Sequence, residues 1–322
     1  MSAPPIDGRS FATAQAFLLS AKGFWTTRLF PALRSEFAAR ESRAGAPAGT
    51  PDEVAALLSD STTYQYYAFL ERHLQRMKYS GRYGLQPWHA QQRDALQAAL
   101  VATPGATVEV DPDFELPQYY TAVDIHQHPG GVWSDPIAGF VYERGARTTT
   151  PLAGKRHVDL HERLTSLAAA ACPAPERVLD IGCGFGKSTR PFYERFPAAE
   201  VHGVDLAAPC VKLGARDAAA AGATNVRFRQ MDAAHTDYPE ASFDLVTSTM
   251  LLHEMPPRQI EATLAEAARV LKPGGKMVHL DFVPQVQPRG DAFAQFIHYT
   301  HGRRNNEPFM EPLARLDLAA TL

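Results

Sequence analysis

The chain has 322 residues, of which 45% are apolar and 21% charged, and a formal charge of −3 at pH 7. That balance describes a folded globular protein rather than a disordered one, and it supplies no basic field for nucleic acid. Three cysteines, Cys172, Cys183 and Cys210, occur without C-x-x-C pairing, which argues against a disulfide framework or zinc ribbon and for a reduced cytoplasm.

No run approaches the roughly 20 apolar residues of a membrane span. The mildly apolar start, Phe11 to Ala21, lacks a basic leader and a cleavage site, and reads as a helix of the folded protein. From there to about Leu100 the pattern is helical. Phe17, Leu18, Trp25, Leu29, Phe30, Leu33 and Phe37 recur at three- and four-residue steps. A loop at 45–51 interrupts them, Thr50 or Asp52 caps a helix running through Leu58, and Tyr64 to Met77 forms another apolar helix. Gly81 to Pro87 breaks it before Trp88 to Leu100 resumes.

Between 101 and 150 the chain turns to proline- and glycine-rich loops. Tyr119-Tyr120-Thr121-Ala122-Val123-Asp124-Ile125-His126-Gln127-His128 concentrates polar and aromatic groups there, as small-molecule sites do. His126 and His128, two apart with Asp124 near, also have the spacing of metal ligands on a strand. A hydrogen-bonded loop is the commoner meaning of such a cluster, and no metal is expected. A helix from Asp159 to Ala171 follows, and the boundary between a helical part (1–150) and an α/β part (151–322) falls near 150.

From Arg177 strands and helices alternate. Strands are expected at 177–180, 200–205, 226–230, 243–248 and 276–281, with helices at about 188–196, 208–222 and 257–271. Alternation of this kind implies right-handed βαβ units and a doubly wound, mostly parallel sheet covered on both faces, with ligands beyond the strands' C-terminal ends.

The first of these strands leads into Asp180-Ile181-Gly182-Cys183-Gly184-Phe185-Gly186-Lys187-Ser188-Thr189. Three glycines at alternate positions make a turn to which something must approach closely. A dinucleotide fingerprint fails here because Lys187 stands where its third small residue belongs, and a P-loop fails because Ile181 stands at its first glycine. Asp180, Asp205 and Asp232 close three successive strands. An acid at Asp205 is placed for the two hydroxyls of a ribose, and one at Asp232 for an exocyclic adenine amine, with the adjoining backbone N–H for a ring nitrogen. Asp180 faces an ammonium group or holds the turn in shape.

The run Asp180 to Gly186, with Asp205, Asp232-Ala233, Phe243-Asp244-Leu245-Val246 and Leu271-Lys272-Pro273-Gly274-Gly275, resembles the successive motifs of class I S-adenosylmethionine-dependent methyltransferases over about 177–283. The segment Thr247 to Pro256 is similar to that of the small-molecule branch, which includes quinone-biosynthesis C-methyltransferases. The resemblance implies a Rossmann-like sheet binding S-adenosylmethionine: Gly182, Gly184 and Gly186 at the methionine end, Asp205 at the ribose, Asp232 and Ala233 at the adenine. Asp180, Cys183, Leu206 and Thr249 complete the expected cofactor set. The family's sheet continues through two further strands. Beyond Val283 only a helix near 290–301, a loop at 303–306 and a helix from Pro312 are read, so the last strands are expected to be missing or cut off.

The function expected is methyl transfer to a small-molecule acceptor, with the N-terminal helices as substrate domain and lid. No nucleic acid or membrane partner is expected, and a homodimer is compatible with this reading. A nicotinamide-dependent oxidoreductase and a non-catalytic cofactor-binding scaffold are the alternatives. A base is needed only for an acceptor whose proton has a high pKa. His253, just past the fourth predicted strand, leads the candidates, followed by His126 and His128 and then His157, His298 and His301. Tyr119, Tyr120, Trp133 and Tyr142 are candidates to enclose a sulfonium or cationic acceptor.

Overall fold

The computed structural model describes residues 5–101, 107–147, 153–281 and 291–321, with side chains from 160 onward in the third stretch. The N-terminal part is helical: α1 (Gly8–Phe24), α2 (Phe30–Ala44), α3 (Pro51–Leu57), α4 (Thr62–Ser80), α5 (Leu85–Ala90) and α6 (Arg93–Val101). Local chemistry sets their ends. The Asp7 side chain accepts from the Ser10 N–H at the start of α1, and Ser61 accepts from the Tyr64 N–H at the start of α4. Thr50, rather than Asp52, caps α3: its hydroxyl accepts from the Glu53 N–H while the Glu53 carboxylate accepts from the Thr50 N–H. That reciprocal pair satisfies donors a helix start otherwise leaves bare.

There follow β1 (Val108–Glu109), α7 (Gln118–Thr121), α8 (Ala138–Ala146) and α9 (Ala153–Ala171). The α/β part then runs β2 (Arg177–Ile181), α10 (Arg190–Arg195), β3 (Glu200–Asp205), α11 (Ala208–Ala220), β4 (Val226–Gln230), β5 (Phe243–Thr249), α12 (Pro257–Val270) and β6 (Leu271–Leu280). The chain closes with α13 (Ala292–Asn305), α14 (Met310–Arg315) and α15 (Leu318–Thr321).

The sheet has six strands in the order β1-β4-β3-β2-β5-β6, every pair parallel. This is the doubly wound, Rossmann-like architecture the alternation predicts. Its strands are buried on both faces: Val178, Leu245, Val201 and Phe228 pack on one side, and Leu179, Val204, Val246 and Phe243 on the other. The order reverses at β2, which lies between β3 and β5. A crevice opens beyond the C-terminal ends of strands at such a reversal.

Two elements join the fold in ways local pattern does not announce. β1 adds to the outer edge of β4, pairing Val108 with Phe228, and Glu109 reaches Arg229 at 2.7 Å. Two residues are too few to display a strand's alternation. After β6 the described residues form only helices. Of these α13 leaves the sheet altogether: its Ala292, Phe293 and Phe296 pack with Leu33, Phe37, Val54 and Leu58 of the N-terminal helices, and the Phe37 and Phe293 rings stack at 4.8 Å. The helical core is therefore built from both ends of the chain. The expected helix from Pro312 to the end divides into α14 and α15. The loop boundary around 148–152 lies outside the described residues.

Candidate functional site

The glycine turn leaves β2 and passes under the mouth of the crevice. Gly182, Gly184 and Gly186 all adopt positive φ, at 65°, 52° and 82°, a region costly for other residues. Their surroundings differ. A Cβ on Gly184 would meet only the Tyr142 ring, at 3.7 Å, so this backbone is open to the cavity. A Cβ on Gly186 would sit 2.9 Å from Cζ of Phe228 and 3.3 Å from Cα of Gly214. Gly186 thus packs the turn against β4 and α11 and does not line the cavity. Gly186→Ala is expected to cost about 2–4 kcal/mol, the sum of overpacking and left-handed strain, which a urea melt measures.

Asp180 also sits behind the turn. It is fully buried and accepts from the hydroxyls of Ser188 (2.7 Å), Thr189 (2.7 Å) and Thr247 (3.1 Å). Burial pushes its carboxyl up to about 6 against the pull of those three donors. Its place in the ligand-contacting set is corrected: it holds the turn in shape from below. Those bonds also delay the helix expected at 188, because Ser188 and Thr189 are tied back to β2 and α10 starts only at Arg190.

Asp205 and Asp232 line one cavity on the same side of the sheet, with Leu206 and Ala233 beside them. The two oxygens of Asp205 accept from the N–H of Gly184 and of Ala207, each at 2.8 Å. Burial raises its carboxyl to about 6, opposed by both donors. Each carboxylate oxygen has more than one acceptor site, so lone pairs remain for a ligand's hydroxyls. In Asp232, Oδ1 accepts from the Ala234 N–H at 2.9 Å and from Gln259 Nε2 at 3.0 Å, while Oδ2 lies 3.8 Å from Nδ1 of His235. Gly182, Gly184 and Cys183 line the same space; the Cys183 sulfur is turned down over Gly203. Thr249, the last residue of β5, brings to the wall a buried hydroxyl that has no partner among the described residues.

The cavity measures about 400 Å³ and continues from these residues into the helical part, where Trp25, Leu74, Lys78, Tyr120 and Trp133 line it. That size suits a small-molecule site. Tyr119 and Tyr142 also stand in its wall. The Tyr142 ring lies parallel to His126, centroids 6.4 Å apart, and edge-on to Phe185 at 5.5 Å.

The three leading histidines take three different parts. His253 is buried in the cavity wall with Nδ1 2.7 Å from Oδ1 of Asp281, whose other oxygen accepts from the Leu252 N–H. Burial opposes its charge, but the Asp281 hydrogen bond and charge outweigh it and raise the imidazole above its ordinary value. A carboxylate on Nδ1 fixes both tautomer and ring direction, as a base requires.

His126 lines the cavity and lies between two carboxylates. Its Nε2 donates to Glu254 (2.9 Å) and its Nδ1 to Glu307 (3.1 Å). Although burial alone would discharge it, the two carboxylates lift it to about 10. At neutral pH it is an imidazolium with both donors committed and no lone pair to accept a proton. Its φ is 57°, and that of Gln127 is 56°, strain that the surrounding bonds must hold.

His128 is corrected as well. It is absent from the cavity wall and packs against the Tyr79 ring at 5.0 Å, where burial lowers it to about 4. Because these residues form a tight helical turn rather than a strand, the i and i+2 rings part and do not converge on a metal. His301 reaches the cavity with its Nδ1 on Glu71 at 2.6 Å, while His298 does not line it. The side chain of His157 lies outside the described residues.

Sequence reasoning missed Glu254, Glu307, Asp281 and Lys78. Asp281 directly follows β6 and Glu254 lies five residues past the end of β5, and residues past strand ends are the signal that points to them. Nothing local marks the other two. Among the described residues, no helix is long and apolar enough to cross a membrane.

Residues 178–275 match a family model described as a methyltransferase domain. A demethylmenaquinone methyltransferase of Thermus thermophilus is 38% identical over 132 residues, 41% of this chain and 58% of that protein. A nocamycin O-methyltransferase of Saccharothrix syringae is 34% identical over 145 residues, 44% of this chain and 47% of that protein. Among solved structures, a putative methyltransferase from Bacillus halodurans aligns at 25% identity and a TM-score of 0.43, covering 50% of this chain and 66% of that one. The chain spans about half the length of the curated relatives it matches. Residues 178–275, which run from the first residues of β2 to within β6, are thus similar in sequence to methyltransferase domains.

Proposed function

We propose that the protein transfers a methyl group from S-adenosylmethionine to a small molecule bound among its helices. The observation that carries this reading is the continuity of one cavity: Asp205, Asp232 and the glycine turn line one end, and Lys78, Trp25 and Trp133 line the other. The cofactor supplies a sulfonium-bound methyl, an activated electrophile. The residues present fit it. Asp205 keeps lone pairs for the ribose hydroxyls, Asp232 keeps an oxygen for the adenine amine, Gly184 leaves backbone open at the methionine end, and the orphaned Thr249 hydroxyl lacks only a partner.

With an activated methyl supplied, the protein's main task is alignment. Tyr119, Tyr120 and Tyr142 wall the space between the two ends, where aromatic faces favour a cationic centre. His253, oriented by Asp281, is the group placed to take a proton from a hydroxyl, ammonium or carbon acid. Loss of its proton-accepting lone pair removes His126 from that role and makes it a tie between segments. The same reading puts the protein in the cytoplasm, where its three free cysteines stay reduced, and keeps the homodimer as an expectation that sedimentation equilibrium checks.

Calorimetry tests the proposal. S-adenosylmethionine is expected to bind one to one, and NADH to give no saturable heat. A wild-type protein that ignores S-adenosylmethionine ends the reading.

A further inference from the structure

Lys78 is a deeply buried lysine. It stands in α4, is 1% exposed, and lines the helical end of the cavity. Among the described residues no carboxylate pairs with it. Its Nζ reaches the Gly145 carbonyl only at 3.5 Å and lies 4.5 Å above the Tyr79 ring. An ammonium has three donors and no acceptor, so most of its hydrogen-bonding capacity is unmet. Burial pushes it well below the ordinary lysine value; Lys22 lowers it further, and Glu307 acts the other way.

A second donor-only group stands in the same wall. The Trp133 indole N–H is buried and has no partner among the described residues. It belongs to the loop that packs on the end of α4: the Gln75 side chain donates to the His126 carbonyl at 2.9 Å, and the His128 ring meets Tyr79 at 5.0 Å. The turn at Gly130 and Gly131, both at positive φ, sets the indole where a Cβ on Gly131 would lie 2.5 Å from Nε1. The ring is held there by backbone geometry. Around these donors the wall is apolar, with Trp25, Leu74 and Val132.

Buried donors left unmatched cost free energy unless a ligand brings acceptors. We infer that the methyl acceptor is a small apolar molecule bearing a carboxylate, and that the carboxylate docks on Lys78 Nζ and Trp133 Nε1. This deepens the methyltransferase reading, since it names the acceptor's class. A carboxylate supplies the acceptors these donors lack and its charge opposes the burial that disfavours the ammonium form of Lys78; a neutral amide oxygen supplies an acceptor without that charge. Among the other charges of this end, Glu71 holds His301 and Arg304, Glu307 holds His126, and Lys22 donates to Gln75 Oε1 at 3.3 Å. Lys78 is the buried cation that shares the wall with the Trp133 indole.

Three probe carboxylates, benzoate, 2-naphthoate and octanoate, are titrated against their primary amides into the full chain loaded with S-adenosylhomocysteine, and again without it. At least one carboxylate is expected to bind about tenfold or more tightly than its amide, the effect of one charged hydrogen bond. Lys78→Met removes the charge without adding a buried polar group and should abolish that preference. Trp133→Phe should weaken the carboxylate severalfold. In both variants S-adenosylmethionine should bind within about twofold of wild type, which separates loss of the anchor from loss of the fold. If Lys78→Met does not fold, the wild-type charge preference and Trp133→Phe decide. Equal affinity for acid and amide, no binding of any carboxylate, or a preference that survives both substitutions overturns the inference. Lysine-dependent carboxylate binding in a protein that ignores S-adenosylmethionine would keep the pocket and remove the methyltransferase reading instead.

Discussion

Asp205→Ala is expected to weaken S-adenosylmethionine binding by on the order of 10²–10⁴-fold, from two charge-assisted hydrogen bonds of about 1.5–3 kcal/mol each. The argument rests on what the carboxylate already does. One oxygen accepts from Gly184 in the glycine turn and the other from Ala207 at the start of α11. Asp205 therefore ties the turn to the end of β3 while presenting its outer lone pairs to the cavity. Alanine removes the ligand's hydroxyl acceptors and also frees the Gly184 N–H, so the turn loses its anchor. Asp205→Asn separates the two losses: an amide oxygen keeps one backbone acceptor but no charge, and its affinity should fall between wild type and alanine. Calorimetry at pH 8, above the raised carboxyl value of about 6, reads the full effect. Wild-type affinity in the alanine variant would remove the ribose assignment.

His126→Ala should destabilise the folded chain by about 3–5 kcal/mol, the usual consequence of stripping one member from a buried ionic cluster. The imidazolium lies between Glu254, whose side chain is 21% exposed, and Glu307, at 8%. Without it two carboxylates face one another with no cation between. The pH dependence carries the same signature. In the folded chain His126 keeps its proton up to about pH 10 and in the unfolded chain only to its ordinary 6.5. Its stabilisation is complete below about pH 6.5 and is lost as pH rises through 10. Glu307 runs the other way: it is held down to about 2, chiefly by the charge of His126 once burial is overcome. Its contribution is full above the ordinary glutamate value and falls away as pH drops toward 2. Urea melts from pH 6 to 10 should show wild-type stability declining and the alanine variant nearly flat. A variant that loses less than 1 kcal/mol and keeps the wild-type slope would show that the bridge is not ionic.

The consequence reaches the site. His126 belongs to the loop after α7, Glu254 follows β5, and Glu307 lies between α13 and α14. One protonated ring joins the segment that follows β5 to the segment between α13 and α14. Its left-handed backbone, φ 57°, is held there by those two ion pairs.

Much of the glycine-turn end of the cavity could be read from the chain alone. Glycine spacing and acids at strand ends are local facts, because a turn's φ values and a strand's last residue are set within a few positions. Asp205 and Asp232 accordingly stand where the alternation puts them. Asp180 stands at its strand end too, yet faces inward. A run of residues places an acid at a strand tip, but whether hydroxyls from Ser188, Thr189 and Thr247 claim it depends on two strands meeting. His126 and His128 show the same divide. Two-residue spacing puts side chains on one face only in a strand, and this segment folds as a tight turn.

What the amino-acid order determined by itself is the set of elements and the apolar faces that need covering, since periodicity follows from backbone geometry alone. Partners were decided only in three dimensions. His126 meets Glu254 across 128 residues and Glu307 across 181, and α13 packs among helices from the far end of the chain. The surroundings of Lys78 likewise bring α4 to α8, whose Gly145 carbonyl its Nζ reaches at 3.5 Å across 67 residues. Charge, tautomer and proton affinity are properties of such enclosures. They exist only once distant segments have closed around the group and removed it from water.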